Sequence, residues 1–225
     1  MILGIITAIV FLLTVAKFAT KRLPFKKLDQ FFMKFHKVAS ILLLVLAIVH
    51  MVLSIQLLKQ RPISLFLLGL FMLICIVGCG LSHIFKKKLG KKWIAIHRAF
   101  ALLMCVCLIG HIIVGFSSFS NYKKAVQSIT FETIWLDHVA DDTYEGEYNV
   151  GYIFAKVKVT VTDKKITQID LVEHRNEKGK AAETITQEII SKQSLDVDSI
   201  SGATNSSKVI RKAVEKALEN AKNNQ

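Results

Sequence analysis

Four histidines in the first half of the chain form two pairs with one interval: His36 and His50, then His97 and His111. Each pair reads H-x13-H on an apolar segment. Fourteen residues of α-helix rise ~21 Å and complete nearly four turns, so both imidazoles of a pair project from about one face. Neutral imidazole is a favoured axial ligand of haem iron, and two of them fill both axial positions, which suits electron transfer better than oxygen binding. Two such helices side by side would clamp two flat macrocycles at two heights. A single histidine in an apolar segment is more simply an interior hydrogen-bonding group or an interfacial one; four at matched spacing point to ligands. A transition-metal site in a transporter or sensor, with the rest of the chain as a ligand-binding module, remains the alternative from a different class.

A second group with chemical potential lies near the other end, in Asp198-Ser-Ile-Ser-Gly-Ala-Thr-Asn-Ser206. Gly202 permits an unusual turn or a close backbone approach. A hydroxyl-rich loop leading into a helix offers free N–H groups and a favourable dipole to a phosphate. An ordinary N-cap, with Ser206 or Ser207 satisfying the first helical turn, explains the same residues without a ligand.

Apolar stretches at about residues 1–20, 38–58, 63–85 and 94–116 would position the histidines, each near the ~20 residues a bilayer core demands. The first has no charged region before it and no small-residue cleavage site after it, so it reads as a retained helix rather than a secretory signal. Hydrophobic residues make up 52% of the chain. The net charge of +13 is unevenly spread: residues 1–125 hold 17 Lys and Arg against one acid, Asp29, and the remainder holds 13 against 16. The basic excess lies between apolar runs and needs no nucleic acid to explain it.

Lys17, Lys21, Arg22, Lys26, Lys27, Lys34 and Lys37 crowd the first connection, and Lys86, Lys87, Lys88, Lys91 and Lys92 the third, which assigns both to the cytoplasmic side. The connection between, with Lys59, Arg61 and Pro62, then faces outward with the amino terminus and everything after residue 117. Lys123 and Lys124 run mildly against this rule. On that topology His36 and His97 sit at the inner level and His50 and His111 nearer the outer one, pairing His36 with His97 and His50 with His111.

Gly110, Ala47 and Ala101 would let a porphyrin approach the backbone, although ordinary helix packing uses small residues too. Arg98 suits a haem propionate or a snorkelling position. His83 reads as interfacial, with a spare ligand or a proton carrier as its other roles, and Trp93 as part of the aromatic belt. Cys75, Cys79, Cys105 and Cys107 all fall inside apolar runs as small buried hydrophobes, and the outer domain has none for a disulfide.

Residues 117–140 read as a linker whose Phe116, Phe119, Tyr122, Ile134 and Trp135 can rest in the membrane interface. Beyond it Tyr152–Thr162 alternates with period two, Val157, Val159 and Val161 against Lys156, Lys158 and Thr160, as a half-buried strand does. A turn at residues 163–165 leads to a second strand over 166–174, and helices are expected around 181–192 and 207–221. His138 and His174 read as solvated surface residues.

Around KKWIAIHRAFA and the two H-x13-H pairs, residues 1–118 resemble the ferric reductase-like transmembrane family and other four-helix b-type cytochromes. The flavin and nicotinamide module that family members often carry has no counterpart in this chain. Asp-x-x-Ser-Gly-Ala-Thr-x-Ser, together with DDTYEGEYNVGY and VTVTDKKITQIDLVEH, resembles the FMN-binding domain of flavin-carrying subunits of sodium-translocating quinone reductases and related ion pumps. That resemblance implies FMN joined through its phosphate by a dedicated FMN transferase to Ser206, where Thr is the commoner residue. Ser207 and Thr204 are minor candidates. It also implies a phosphate loop shaped by Ser201, Gly202, Ala203 and Thr204, with Asp198 orienting it or binding a metal used by the transferase.

The expectation is a membrane all-α four-helix bundle over 1–118, a linker over 119–140 and a small α+β FMN-binding domain over 141–225. It would be a multi-pass cell-membrane protein with two haem b, its amino terminus and covalent FMN outside. Electrons would pass from a quinol or a cytoplasmic reductase to an external acceptor. Terminal reduction of ferric iron or a quinone at the flavin is the second form of this reading.

Overall fold

The computed structural model describes residues 2–20, 24, 26–133, 135–176 and 178–223. The apolar runs fold as helices because little in them opposes it. Both prolines of the chain, Pro24 and Pro62, lie between helices, where a missing N–H breaks no helical bond. The first four elements of note are α1 (Ile2–Thr20), α2 (Lys26–Ile55), α3 (Ile63–Ile84) and α4, a single turn over Lys86–Leu89. A 3-10 turn at Gly90–Lys92 leads into α5 (Trp93–Gln127). The chain divides into two compact units, residues 1–117 and 118–225.

Among the described residues of the helical part, three helices are long and apolar enough to cross a membrane, and Ile2–Phe18 is a shorter apolar helix. Large side chains such as Ile41, Leu102 and Ile113 stand on the outside of these helices, each more than half exposed. So continuous an apolar surface is compatible with a membrane. The interior is small: Phe11, Leu43, Cys75 and Met104 pack together, with Phe100 and Ile76 against them. Gly78 on α3 is there for a close approach, since a Cβ would sit 2.8 Å from the Phe100 ring of α5. Asp29, in the first turn of α2, pairs with Lys17 near the end of α1 and ties those two ends together.

The second unit is a three-stranded antiparallel sheet, β1 (Asp142–Asn149), β2 (Phe154–Thr162) and β3 (Lys165–Arg175) in spatial order, with α6 (Ile185–Lys192) and α7 (Thr204–Asn223). Val157, Val159 and Val161 of the central strand are buried, as their alternation predicts. Tyr144 pairs with Val159 and Gly146 with Val157 across β1 and β2. The strand begins at Phe154 rather than Tyr152, because a turn closed by the Val150 N–H on the Ile153 carbonyl, with Gly151 at φ +85°, occupies the preceding residues. Asp163 and Lys164, at φ +51° and +59°, make the two-residue turn whose twist matches the strands it joins.

α7 lays Val209, Ile210, Ala213, Val214, Ala217 and Leu218 on the sheet, all buried. Each Val, Ile or Leu so buried stabilises the unit by about 1.5–3 kcal/mol relative to exposure. The fit depends on Gly146, where any Cβ would collide with the Ala213 carbonyl and the Ala217 backbone.

Two further boundaries differ from the sequence reading. The segment read as linker from residue 117 is helical as far as Gln127, because Ser118–Gln127 contains neither Gly nor Pro. The Ser128 N–H then bonds to the Lys124 carbonyl and its hydroxyl donates to the Ala125 carbonyl. α7 likewise starts at Thr204 rather than 207, so Ser206 lies within its first turn and not in the loop before it. Phe119 and Tyr122 pack on Tyr152. Trp135 is exposed, and Ile134 lies outside the described residues.

Candidate functional site

In the helical unit, His36 on α2 and His97 on α5 face each other with ring centroids 6.2 Å apart and planes at 66°. The Nδ1 of His36 is 3.2 Å from the Thr14 carbonyl, and that of His97 is 3.1 Å from the Cys79 carbonyl and 3.3 Å from Ser82 Oγ. A carbonyl only accepts, so each Nδ1 carries the hydrogen and each Nε2 keeps its lone pair. Locking one ring nitrogen on the backbone is how proteins orient a histidine ligand and leave the other nitrogen for a metal. Two imidazole nitrogens each about 2 Å from one metal would bring the ring centroids about 6 Å apart. The 6.2 Å spacing of the pair matches that distance.

Trp93 lies between two histidines, edge-on to His83 at 5.8 Å and to His97 at 6.3 Å. Arg98 and His83 are exposed. Toward the other end of the unit, the His50 ring rests on α1 at Gly4, where an added Cβ would come within 3.1 Å of its Cε1. His111 lies over Gly69 of α3 and within electrostatic reach of His50. A glycine beside each of these rings leaves backbone where a side chain would otherwise fill the space. Among the described residues no three His, Cys, Asp or Glu gather around one point.

In the second unit the loop before α7 is a tight turn. The Ala203 N–H bonds to the Ile200 carbonyl at 3.0 Å, and Gly202 has φ +75° while Ser201 does not enter the left-handed region. That is the type II arrangement, which places glycine third. Ser207 holds the turn on the helix: its Oγ accepts the Ile200 N–H at 3.0 Å and donates to the Ala203 carbonyl at 3.1 Å. Ser206 is different. It is 1% exposed, and among the described residues its Oγ has no hydrogen-bond partner. Asp198, Ser201 and Thr204 are exposed, and Ala203 is buried under the turn.

Several neighbours of Ser206 escaped the sequence reading. A Cβ at Gly179 would overlap Ser206 Oγ and lie 3.7 Å from Asn176 Cβ, so these three residues form one contact. Asn176 Oδ1 accepts the Gly179 N–H at 2.8 Å, and its Nδ2 is 3.2 Å from His174 Nδ1. His174 Nδ1 is also 3.0 Å from Glu183 Oε1. The expectation of a solvated His174 is corrected: its side chain is 2% exposed, because the 3-10 turn at Lys180–Thr184 brings Glu183 over the end of β3. The only forewarning was a histidine, an amide and a glycine spaced along one strand end. His138 is exposed, as expected.

A second neighbourhood of the motif lies beyond Asn205, whose Nδ2 donates to the Tyr122 hydroxyl at 2.9 Å. Tyr122 stacks on Tyr152, centroids 4.8 Å apart and planes at 21°. Farther along α7, Glu215 is fully buried, accepts the Glu132 N–H at 2.6 Å and pairs with Lys212, which also donates to the Thr130 carbonyl. The Arg211 guanidinium lies 4.0 Å over the Phe131 ring. Burial pushes its pKa down, and Asp196, Asp198 and Glu215 oppose that shift. Residues 130–132 are thereby strapped to α7.

Comparison with curated proteins and with solved structures found no match. The FMN-binding domain family model matches residues 151–219, from the turn before β2 to within α7, and the second unit of this chain thus carries an FMN-binding domain.

Proposed function

We propose that the chain conducts electrons across a membrane, between two haems b held by His36 with His97 and His50 with His111, and an FMN joined covalently to Ser206. The observation that carries this reading is the facing pair His36 and His97, both with Nδ1 on a backbone carbonyl, in a chain that also holds an FMN-binding domain. The likeness of residues 1–118 to ferric reductase-like cytochromes supports the same ligand set. In this reading α1 is the fourth span.

The lysine distribution supports a topology with the connections after α1 and α3 in the cytoplasm and Ser206 outside. Three of the chain's own features serve attachment. Among the described residues the buried Ser206 Oγ has no hydrogen-bond partner to give up on esterification, Gly179 leaves room beside it, and the turn held by Ser207 fixes the backbone around it. FMN takes electrons singly and passes on one or two, which suits a junction between haem and either a protein or a small-molecule acceptor. The protein's part is to set distance, orientation and access. An FMN transferase matures the outer domain, and a quinol or a cytoplasmic reductase supplies electrons at the inner pair.

The test is spectroscopic. Purified full-length protein, co-produced with an FMN transferase, is expected to give dithionite-reducible haem bands and flavin fluorescence that survives a denaturing gel. His97→Ala should halve the haem content, and Ser206→Ala should abolish the gel fluorescence. Colourless protein would overturn the reading and favour the metal transporter or sensor.

A further inference from the structure

We propose that Tyr122, with Phe119 and Tyr152, is the platform on which the isoalloxazine ring of the Ser206-linked FMN rests; this builds on the attachment reading above. Three rings meet at this point. Tyr122 and Tyr152 are stacked, and the Phe119 ring lies 5.9 Å from Tyr122 and 5.8 Å from Tyr152. Tyr152 is buried, whereas Phe119 is 43% exposed and Tyr122 half-buried, so the cluster keeps an open aromatic edge. A flat heteroaromatic ring stacks offset on such a surface with favourable quadrupole alignment.

The hydrogen bond from Asn205 Nδ2 to the Tyr122 hydroxyl joins this cluster to the motif. Asn205 directly precedes Ser206 in the first turn of α7. Consecutive Cα atoms are only about 3.8 Å apart, less than the reach of a ribityl phosphate arm. A ring tethered at Ser206 is therefore confined near the cluster at high effective concentration, and even a modest stacking preference localises it. Lys123 adds a cation 5.5 Å over Phe119 at the same edge.

A purely structural role for these rings would be to hold the end of α5 on the sheet. The two roles separate by flavin fluorescence per covalently bound flavin, since tyrosine in van der Waals contact quenches an excited isoalloxazine. The full-length protein, loaded by the transferase, is measured folded in nanodiscs and again denatured in SDS. Wild-type protein is expected to fluoresce at least tenfold less when folded. Tyr122→Leu should recover several-fold of that loss, and Tyr122→Phe, which keeps the stack and loses the phenol, should fall between them.

Val126→Ala trims a buried neighbour one turn farther along the same helix while keeping all three rings, and is expected to stay quenched. Folded fluorescence in Tyr122→Leu equal to wild type, or equal dequenching in Val126→Ala, would overturn the platform. Gel-stable flavin persisting in Ser206→Ala would instead overturn the attachment reading on which it rests.

Discussion

Replacing Ser206 and Ser207 one at a time by Ala should change stability in opposite directions, although the residues are adjacent and equally buried. Burying a hydroxyl with no partner is destabilising by about 1–3 kcal/mol. Ser206 Oγ, 1% exposed and unpartnered among the described residues, pays this in the flavin-free protein. Ser206→Ala keeps the Cβ and removes the stranded oxygen, so the flavin-free domain should gain about 1 kcal/mol, or about 5 °C in Tm for a unit of this size. Ser207→Ala deletes an acceptor for Ile200 N–H and a donor to the Ala203 carbonyl. It leaves a backbone N–H without its partner and should lose about 1–3 kcal/mol. Amide hydrogen exchange at Val157 and Val159, in full-length protein made without the transferase, reads the opening free energy of the sheet directly. Equal destabilisation by both variants would refute the claim that Ser206 is the residue held in reserve for a ligand.

Gly179 has φ −93°, open to any residue, so Gly179→Ala adds no backbone strain and acts only through its Cβ against Ser206; gel-stable flavin per protein should drop at least tenfold. Glu215→Ala removes a fully buried carboxylate that pairs with Lys212 and accepts the Glu132 N–H, and should destabilise the second unit by about 3 kcal/mol, measured by denaturant unfolding. Glu145 has its pKa held down by hydrogen bonds to Lys156 and Lys158. A depressed carboxyl contributes stability above its ordinary value and loses that contribution as pH falls through the lowered one. Glu145→Gln should therefore lower Tm slightly at neutral pH and not at all once the native carboxyl is protonated; so exposed a pair has only a small effect.

What could be read along the chain is what depends on neighbours a few residues away. The apolar runs, the H-x13-H intervals, the alternation of Val157, Val159 and Val161, and the Ser-Gly-Ala-Thr string are local periodicities or local motifs, set by helix and strand geometry that every chain shares. The expected topology, too, rests only on the placement of lysines between spans.

The tertiary structure decided which distant groups meet. Ser206 and Gly179 touch across 27 positions, Asn205 and Tyr122 across 83, and Glu215 and Glu132 across 83. His174 looked like a surface residue because the strand carrying it ends in polar residues, and only the turn that brings Glu183 over it buries the ring. Likewise, the spacing of His36 and His97 admits two ligands on two helices, but the bond from each Nδ1 to a carbonyl on a neighbouring helix is what leaves Nε2 free. Sequence periodicity determines which face of an element is apolar; the partner of each polar atom on it emerges only when the chain closes, because desolvation penalises every donor and acceptor left without one.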